Sequence, residues 1–294
     1  MKIHSEHVVF AMSKDNKPAL KAQSGDKVTF EAMDCFSNTV KTEEDTVSTI
    51  DFDAVNPATG PLYVEGADPG DTLKVTIHSI DLTSDQGVMV AAPGLGQFAD
   101  YIEKEETVIC QVNGDTVNIK GLNVPLNKMV GVIGTAPKDE AVNTGTPGDH
   151  GGNLDTTLIA EGATLYLPVN VEGALLAMGD CHVAMGDGEV MGSGVEIPAD
   201  ITVTVDVLKD ADFPLPFVEN ENVVATLASN ESMEEATKQA LLNMSTFIQT
   251  KTELNANQAG MLLSAAGNVK TGQIVNPKYT MRVELAKSIL NNNK

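Results

Sequence analysis

Short segments in which apolar and polar residues alternate dominate the first three quarters of the chain. Residues 27–33 follow this pattern, and residues 201–208 follow it again. A period of two is typical of a β-strand that buries one face. Residues 129–137 instead form a mostly apolar run with two glycines, which predicts a strand that backbone or ligand approaches closely. The pattern predicts many short strands through about residue 225.

The pattern changes in the last part of the chain, where apolar residues recur at helical spacing. A Ser-x-x-Glu capping box opens a predicted helix over residues 232–248. An asparagine at position 255 predicts the cap of a second helix that ends near residue 266, and an Asn-Pro pair precedes a third over residues 278–290. These helices contain no clustered ligands, and we interpret them as packing or dimer-forming elements.

The order of these elements defines the expected fold class. Many strands followed by helices favour a mainly β protein with α (α+β), in which an antiparallel β-sandwich core has its helices concentrated in the C-terminal third. We expect a single domain over residues 1–294, β-rich over residues 1–225 and helical over residues 230–290. The sequence contains neither a Gly-rich dinucleotide fingerprint in a strand-turn-helix context nor a phosphate-binding loop.

Composition narrows the classes of function. The 294 residues include 41 acidic and 19 basic side chains, which give a formal net charge of −22 at pH 7. This charge opposes binding to nucleic acid and to anionic membranes. No run of about twenty apolar residues marks a membrane span, and we expect a cytoplasmic protein. Three widely spaced cysteines disfavour a disulfide framework.

Residues 165–189 contain the densest group of candidate ligands. An apolar strand there leads to four such side chains within ten residues, punctuated by glycines: Asp180, His182, Asp187 and Glu189. A strand points Asp180 and His182 to the same side. Imidazole and carboxylate together suit a borderline divalent cation. A Gly-rich hairpin with solvated acids is the other interpretation, and these residues alone leave both open.

Two other segments offer side chains for the same chemistry. His150 stands in a glycine-rich turn, with Asn153 and Asp155 just beyond it. A histidine on a rigidly supported loop is a candidate for ligand binding or catalysis. Asp34 follows the strand predicted at residues 27–33, where a carboxylate can join a site or form a turn.

Three blocks of sequence together resemble the acetamidase/formamidase family in their residues and in their order along the chain. They are residues 56–71, residues 147–155 with His-Gly-Gly-Asn, and residues 166–189 with Gly-Asp-Cys-His; residues 129–137 resemble a fourth block. The resemblance covers nearly the whole chain. It implies a β-sandwich amidohydrolase that releases ammonia from formamide, acetamide or similar short amides. It also implies a divalent metal, with zinc and calcium both associated with the family, and a homodimer or larger homo-oligomer.

The resemblance further implies a set of site residues. The positions that match family motifs are Asp34, Glu65, His150, Asn153, Asp155, Asp180, His182, Asp187 and Glu189. From these we expect four metal ligands: Asp34, His150, Asp180 and His182. Glu65 or Glu189 is the expected general base, and Asn153 is expected to hydrogen-bond the substrate carbonyl oxygen as charge develops. A bound zinc would polarise that carbonyl and lower the pKa of a water to about 7.

Departures from the family pattern lie in the same blocks. Cys181 stands where the family usually has glycine, Met185 where a polar residue is usual, and Asp149 where proline is common. Cys181 as a nucleophile is the competing enzymatic interpretation, since the chain lacks Gly-x-Ser-x-Gly. The non-catalytic alternative is a metal-binding β-sandwich whose acidic turns hold calcium. An aromatic content of 4% predicts a pocket that is small or lined by aliphatic side chains.

Overall fold

The computed structural model describes residues 1–291 as two large β-sheets with helices near the C-terminus. The strands in chain order are β1 (Lys2–Ile3), β2 (Val8–Val9), β3 (Ala11–Met12), β4 (Leu20–Gln23), β5 (Lys27–Ala32), β6 (Ala58–Glu65), β7 (Thr72–Leu82), β8 (Gln86–Ala91), β9 (Glu106–Asn113), β10 (Thr116–Ile119), β11 (Leu122–Pro125), β12 (Met129–Gly134), β13 (Val142–Asn143), β14 (Gly151–Asn153), β15 (Thr164–Pro168), β16 (Leu176–Ala184), β17 (Val195–Glu196), β18 (Ala199–Leu208), β19 (Phe217–Glu219), β20 (Val223–Asn230), β21 (Asn268–Thr271) and β22 (Tyr279–Ala286). The α-helices are α1 (Met233–Lys251), α2 (Ala256–Ala266) and α3 (Lys287–Asn291), and short 3-10 helices span Val47–Thr49 and Phe52–Ala54.

The two sheets are almost entirely antiparallel. The nine-stranded sheet has the order β1-β5-β18-β7-β15-β19-β20-β22-β21. The eleven-stranded sheet contains the path β11-β10-β9-β8-β17-β16-β12-β14, with β6 paired to β16 and also to β2 and β4. Parallel pairing occurs at β1–β5 and at β4–β6. The expected α+β class, mainly β and antiparallel, is confirmed.

The main core lies between the sheets and explains the two kinds of strand seen in the sequence. β5 buries every second side chain, and β18 does so along most of its length, as the alternating pattern predicts. In contrast, every residue of β12 and β16 is buried. Phe30 and Ile201 from the nine-stranded sheet belong to the same apolar cluster as Met178 and Val183 from the other sheet. Removal of these side chains from water holds the sheets together.

The first two predicted helices are confirmed. The Ser232 side chain accepts a hydrogen bond from the backbone of Glu235 and caps α1, which continues three residues beyond the predicted end. Asn255 and Gln258 form a reciprocal capping box at the start of α2. α1 packs against β20 and β22. Among residues 1–291, no helix is long and apolar enough to cross a membrane.

The prediction of a third helix over residues 278–290 is wrong. Most of residues 278–290 form the strand β22, and only the short α3 follows it. β22 pairs with β20 on one side and with β21 on the other, and residues 280–285 are all buried. Backbone pairing along both edges and burial on both faces override the weak local preference for helix. The C-terminal portion is therefore a mixture of helices and sheet strands.

Candidate active site

The strand β16 provides the centre of the candidate site. The Nε2 atom of His182 lies 3.6 Å from Oδ1 of Asp180, two residues earlier on the same strand. Glu196 pairs with His182 across the sheet, and its Oε2 lies 3.0 Å from the same nitrogen. Oε1 of Glu189 lies 3.9 Å from it. One imidazole and three carboxylates therefore share a narrow space.

Six buried side chains contribute ligand-type atoms to this region. They form two groups, each with its ligand atoms within 4.8 Å of one another: Asp155, His182 and Glu189, and Cys35, Asp180 and Glu196. Each of the six is at most 8% exposed. We call these six residues the site cluster. Four carboxylates, one imidazole and one thiol are thus buried together, although they come from separate parts of the chain.

Two glycines leave the room that the site cluster occupies. A Cβ atom on Gly131 of β12 would lie 2.6 Å from Oδ2 of Asp180 and would also overlap the carboxylate of Asp155. A Cβ atom on Gly194 would lie 2.7 Å from Cγ of His182. The close approach expected for the strand at residues 129–137 therefore occurs at Gly131, and what approaches it is a pair of carboxylates.

Three of the carboxylates stand on strained backbone. The φ angles are 39° at Asp155, 57° at Asp180 and 48° at Glu189. Residues other than glycine rarely adopt this left-handed region, at a cost of order 1–3 kcal/mol each when the surroundings impose it. Strain of this kind concentrates at functional sites. Its coincidence with the acids makes this cluster the candidate functional site.

Several polar atoms of the site cluster are buried without a hydrogen-bond partner among the described residues. They include both ring nitrogens of His182, Oδ1 of Asp155 and Oε2 of Glu196. The 3.0 Å contact between His182 and Glu196 lacks the alignment of a hydrogen bond. A buried polar group without a partner costs about 1–3 kcal/mol. Of the two ring nitrogens, Nε2 faces the carboxylates of Asp180, Glu189 and Glu196, where a cation would satisfy it.

The electrostatics of the site cluster favour a bound cation as well. Burial raises the pKa of Asp155, Glu189 and Glu196, and neighbouring acids add to the effect. Burial alone would lower the pKa of His182, but the charges of Glu196 and Asp180 outweigh it and raise that pKa. A divalent ion offsets the repulsion between the acids. Carboxylate, imidazole and thiolate are all ligands that zinc accepts, so the residues present fit such an ion.

A cavity of about 110 Å³ adjoins the site cluster. Its polar wall consists of cluster residues together with Asn56, Asn153 and Asn276, and its apolar wall includes Phe36, Val47, Ile50, Phe52, Val90 and Leu95. Oδ1 of Asn153 is buried with no partner in the described part of the chain. Pockets for drug-sized ligands measure about 300–1,000 Å³. This cavity therefore suits a molecule of only a few non-hydrogen atoms.

A second, larger cavity lies on the other side of Glu189. It measures about 490 Å³, and its lining includes Met89, Ile119, Leu126, Met185, Val190 and Met191. Within residues 1–291, Glu189 is the side chain that lines both cavities. Met185 is one of the departures from the family pattern. Its backbone nitrogen donates a hydrogen bond to the side-chain oxygen of Asn127, and its carbonyl accepts one from the side-chain nitrogen of Asn127. The small cavity and this aliphatic one both agree with the low aromatic content.

The structure brings Asp180 and His182 together but leaves Asp34, a third predicted metal ligand, outside the site cluster. Oδ1 of Asp34 accepts hydrogen bonds from the backbone nitrogens of Phe36, at 3.0 Å, and Asn38, at 2.7 Å. The carboxylate thus closes a turn, because local side-chain to backbone bonds compete well for an aspartate after a strand. The next residue, Cys35, reaches the cluster instead.

His150, the fourth predicted ligand, also lies outside the site cluster. Its ring packs between Gly148 and Gly152, where added Cβ atoms would each come within 3.1 Å of a ring nitrogen. Its Nε2 is buried without a partner among the described residues, and burial lowers the pKa of the imidazole to about 4. The glycines around His150 therefore make space for a buried ring and do not present it to the cluster.

The two predicted bases differ in position. Glu189 belongs to the site cluster, whereas Glu65 is exposed at the end of β6. The opposite end of β6, at Ala58, pairs with Gly179 beside the cluster. Seven residues of strand separate Ala58 from Glu65, or about 23 Å at 3.3 Å per residue. Glu65 is thus too far away to exchange a proton at the cluster.

Two other residues of the 165–189 stretch, Asp187 and Cys181, make contacts outside the site cluster. Asp187 is paired with Arg282 at 2.7 Å and accepts a hydrogen bond from Thr157 at 2.7 Å. Cys181 is fully buried in the main apolar core, on the face of β16 opposite to Asp180 and His182. Burial raises the pKa of its thiol. A buried, protonated thiol facing the core argues against the nucleophile interpretation.

Three members of the site were not singled out in the sequence. Glu196 is an acid between the buried residues Val195 and Ile197, an unusual setting that could have marked it. Cys35 directly follows Asp34, the residue that was predicted as a metal ligand. Asn276, interpreted as a helix start, donates hydrogen bonds to Oδ2 of Asp155 at 2.7 Å and to the carbonyl of Asn153 at 3.2 Å. No local pattern predicts that contact.

Two packed β-sheets, with a buried carboxylate–imidazole cluster and a small cavity on the face of β16 that points away from the core between them, define a β-sandwich protein with a metal-ligand type of site. The sequence matches the Acetamidase/Formamidase family over residues 6–145 and 138–292. The chain belongs to this family.

Relatives with known structures share the whole fold. A crystal structure of an acetamidase from Bacillus halodurans is 49% identical, covers 99% of both chains and superposes with a TM-score of 0.97. A predicted acetamidase/formamidase from Thermoanaerobacter tengcongensis is 44% identical, covers 99% of this chain and 97% of that one, and gives a TM-score of 0.95. The formamidase of Methylophilus methylotrophus is 25% identical in an alignment of 245 residues, with coverage of 63% of this chain and 60% of that protein. The match thus spans less than two thirds of that curated relative.

Proposed function

We propose that this protein is a metal-dependent amidohydrolase that cleaves short aliphatic amides to a carboxylate and ammonia. The observation that supports this most directly is the site cluster beside the 110 Å³ cavity. Formamide and acetamide contain three and four non-hydrogen atoms, a size that such a cavity accommodates. Membership of the Acetamidase/Formamidase family supports the same class of reaction.

We propose that the metal is held by Asp155, Asp180 and His182, with Glu196 and Cys35 as further ligands. Their buried and largely unpartnered donor atoms motivate this assignment. Zinc is the expected ion because the set combines imidazole, thiol and carboxylate; calcium, which prefers oxygen alone, fits it less well. When bound, such an ion supplies Lewis-acid polarisation of the amide carbonyl and lowers the pKa of a bound water.

The remaining residues of the cavity have separate proposed roles. Asn153 hydrogen-bonds the carbonyl oxygen of the amide, as its place on the polar wall allows. The apolar wall, which includes Val90 and Leu95, receives the short acyl group and excludes water. Glu189 lines the cavity and approaches His182, so it is positioned to take a proton from the attacking water and return it to the leaving nitrogen.

Ammonia release from a graded series of formamide, acetamide, propionamide and butyramide tests this proposal. We expect turnover of the shortest amides that a chelator abolishes and added zinc restores. Metal analysis of the purified protein should find at least one zinc per chain. If the protein binds zinc or calcium but hydrolyses none of these amides, the non-catalytic metal-binding function is correct. If turnover survives complete metal removal, the proposed metal dependence is wrong.

A matched pair of glutamate variants tests the assignment of the base. Glu189→Gln should lower kcat by about 10²- to 10⁴-fold, the usual contribution of a positioned general base. Glu65→Gln should leave kcat unchanged, because that side chain is exposed at the far end of β6. Cys181→Ala serves as a second control and should also retain turnover. Metal content measured for each variant separates loss of the base from loss of the ion.

A cytoplasmic location and a homodimer or larger assembly remain predictions from the sequence. Light scattering of the purified protein at several concentrations measures the assembly, and fractionation of the source cells measures the location. The strongly negative charge of −22 leads us to expect no affinity for nucleic acid or anionic vesicles at physiological salt.

A further inference from the structure

The single arginine of the chain, Arg282, lies buried beside the candidate site. Its side chain is 2% exposed, although a guanidinium is ordinarily found at the surface. It donates hydrogen bonds to Asp187 at 2.7 Å, to Glu284 at 2.8 Å and to the hydroxyl of Thr156 at 3.2 Å, and also to the carbonyl of Thr271. Two carboxylates therefore flank its one positive charge, and one of them, Glu284, also pairs with Lys270 at 2.9 Å.

Two of these partners adjoin carboxylates of the site cluster. Thr156 directly follows Asp155, and Asp187 precedes Glu189 by two residues. The neighbouring hydroxyl of Thr157 donates to Oδ1 of Asp187 at 2.7 Å, opposite the oxygen that Arg282 contacts. The guanidinium thus joins the two separate chain segments that carry Asp155 and Glu189.

Both of those segments need external support. Asp155 and Glu189 have left-handed backbone conformations that persist only when the surroundings impose them. The Glu189 segment is fastened at Gly188, whose nitrogen donates to the carbonyl of Gly272 at 2.7 Å and whose carbonyl accepts from Ile274 at 3.1 Å. The supports from Gly272, Ile274 and Arg282 come from residues 271–282, a part of the chain that contributes no member of the site cluster.

We infer that Arg282 and Asp187 are positioning residues that hold Glu189 and Asp155 at the separation the metal and the substrate require. This inference rests on the proposed function. Neither residue touches the cavity of about 110 Å³, so the pair acts through the two segments that it joins. Losing an outer partner of metal ligands typically costs 10- to 100-fold in metal affinity or activity. A purely structural ion pair would affect only folding stability.

Asp187→Asn is the most direct test. The replacement keeps the size of the side chain and removes its charge, while Glu284 still compensates Arg282, so we expect the protein to fold. We expect kcat for acetamide to fall about 10- to 100-fold with KM changed less than about threefold. We also expect the affinity for Zn²⁺, measured by competition with a chromophoric chelator, to fall by a similar factor, and the visible spectrum of the Co²⁺-substituted protein to change.

Glu219→Gln is the matched control. Like Asp187, Glu219 pairs with a cation, Lys287 at 2.6 Å, and accepts a hydrogen bond from a hydroxyl, Tyr166 at 2.6 Å. It lies in the nine-stranded sheet and lines neither cavity that Glu189 lines. Its replacement should lower the Tm about as much as Asp187→Asn does and leave metal affinity and kcat unchanged.

Two gentler variants keep the inference testable should Asp187→Asn fold poorly. Thr157→Val removes one hydrogen bond to Asp187 and should reduce metal affinity and kcat by a smaller factor in the same direction. Arg282→Lys should retain more activity than Arg282→Met, because an ammonium can reach one of the partners but cannot bridge them all.

Unchanged zinc affinity and kcat in folded Asp187→Asn or Thr157→Val would overturn the inference. If the wild-type protein neither binds metal nor hydrolyses amides, the proposed function itself is wrong, which is a different result.

Discussion

Two buried clusters in this protein are built on opposite principles. Beneath α1, the rings of Tyr166, Phe213, Phe217 and Phe247 pack with centroids 4.7–6.3 Å apart, several of them edge to face. The hydroxyl of Tyr166 is satisfied by Glu219. In the site cluster, four carboxylates crowd one imidazole, and several of their polar atoms lack partners within the described residues.

The difference shows that the aromatic cluster stabilises the folded state and that the site cluster destabilises it. The aromatic cluster buries large apolar surface in favourable ring geometry, which stabilises the folded state. The site cluster combines left-handed backbone with close packing of acids, which destabilises the folded state, and the proposed cation would offset that cost. Substitutions in the two regions should therefore have opposite effects on stability and on function.

The largest expected effect on stability follows from Phe247→Ala. Truncating this 95% buried ring should lower the free energy of unfolding by about 3–5 kcal/mol, as core Phe→Ala changes do. The kcat of the protein that remains folded should not change, because the ring is remote from the site cluster. Urea unfolding followed by circular dichroism gives the first quantity, and amide turnover at low temperature gives the second. Tyr101→Ala, at a ring 83% exposed, is the control and should change stability by less than about 0.5 kcal/mol.

Gly131→Ala tests the opposite region. The added methyl group would meet Oδ2 of Asp180 at 2.6 Å, about 1 Å too close, so the carboxylates of Asp155 and Asp180 must move. A displacement of about 1 Å in a catalytic arrangement can cost roughly 10²-fold in rate. We expect that loss in kcat together with weaker zinc binding. Gly114→Ala, in a hairpin turn where the added methyl meets nothing, should leave kcat unchanged. Full activity in Gly131→Ala would contradict the position assigned to the site.

Asp180→Asn has the smallest expected effect on stability, but the sign of that effect should depend on whether metal is bound. Asparagine tolerates the left-handed conformation, with φ near 57° here, and removes one of the four crowded carboxyl groups. With a chelator present, the variant should be more stable than the wild type by about 1 kcal/mol, as expected when strain at a functional site is relieved. With zinc present, the order should reverse, because the wild type gains binding energy that the variant has lost. Thermal unfolding under both conditions measures the change of sign.

The sequence predicted parts of the site for clear physical reasons and missed others for equally clear ones. Asp180 and His182 were found because a period of two puts them on the same side of one strand, which is local information. Glu196 and Asn276 come from other strands and loops, and only sheet pairing brings them near. Asp34 was predicted and Cys35 missed because no local pattern shows that the turn after β5 directs the thiol of Cys35, and not the carboxylate of Asp34, toward the site.

The sequence by itself determined the class of fold, the family and the strand that centres the site. Alternation in β5 and β18, the caps of α1 and α2 and the Gly-Asp-Cys-His motif are all encoded within a few residues. Tertiary structure alone decided that residues 279–286 form a strand, that Glu65 lies far from the cluster, and that Arg282 joins the segments of Asp155 and Glu189. The reason is that backbone pairing and buried charge contacts depend on residues distant in the chain, which no local pattern specifies.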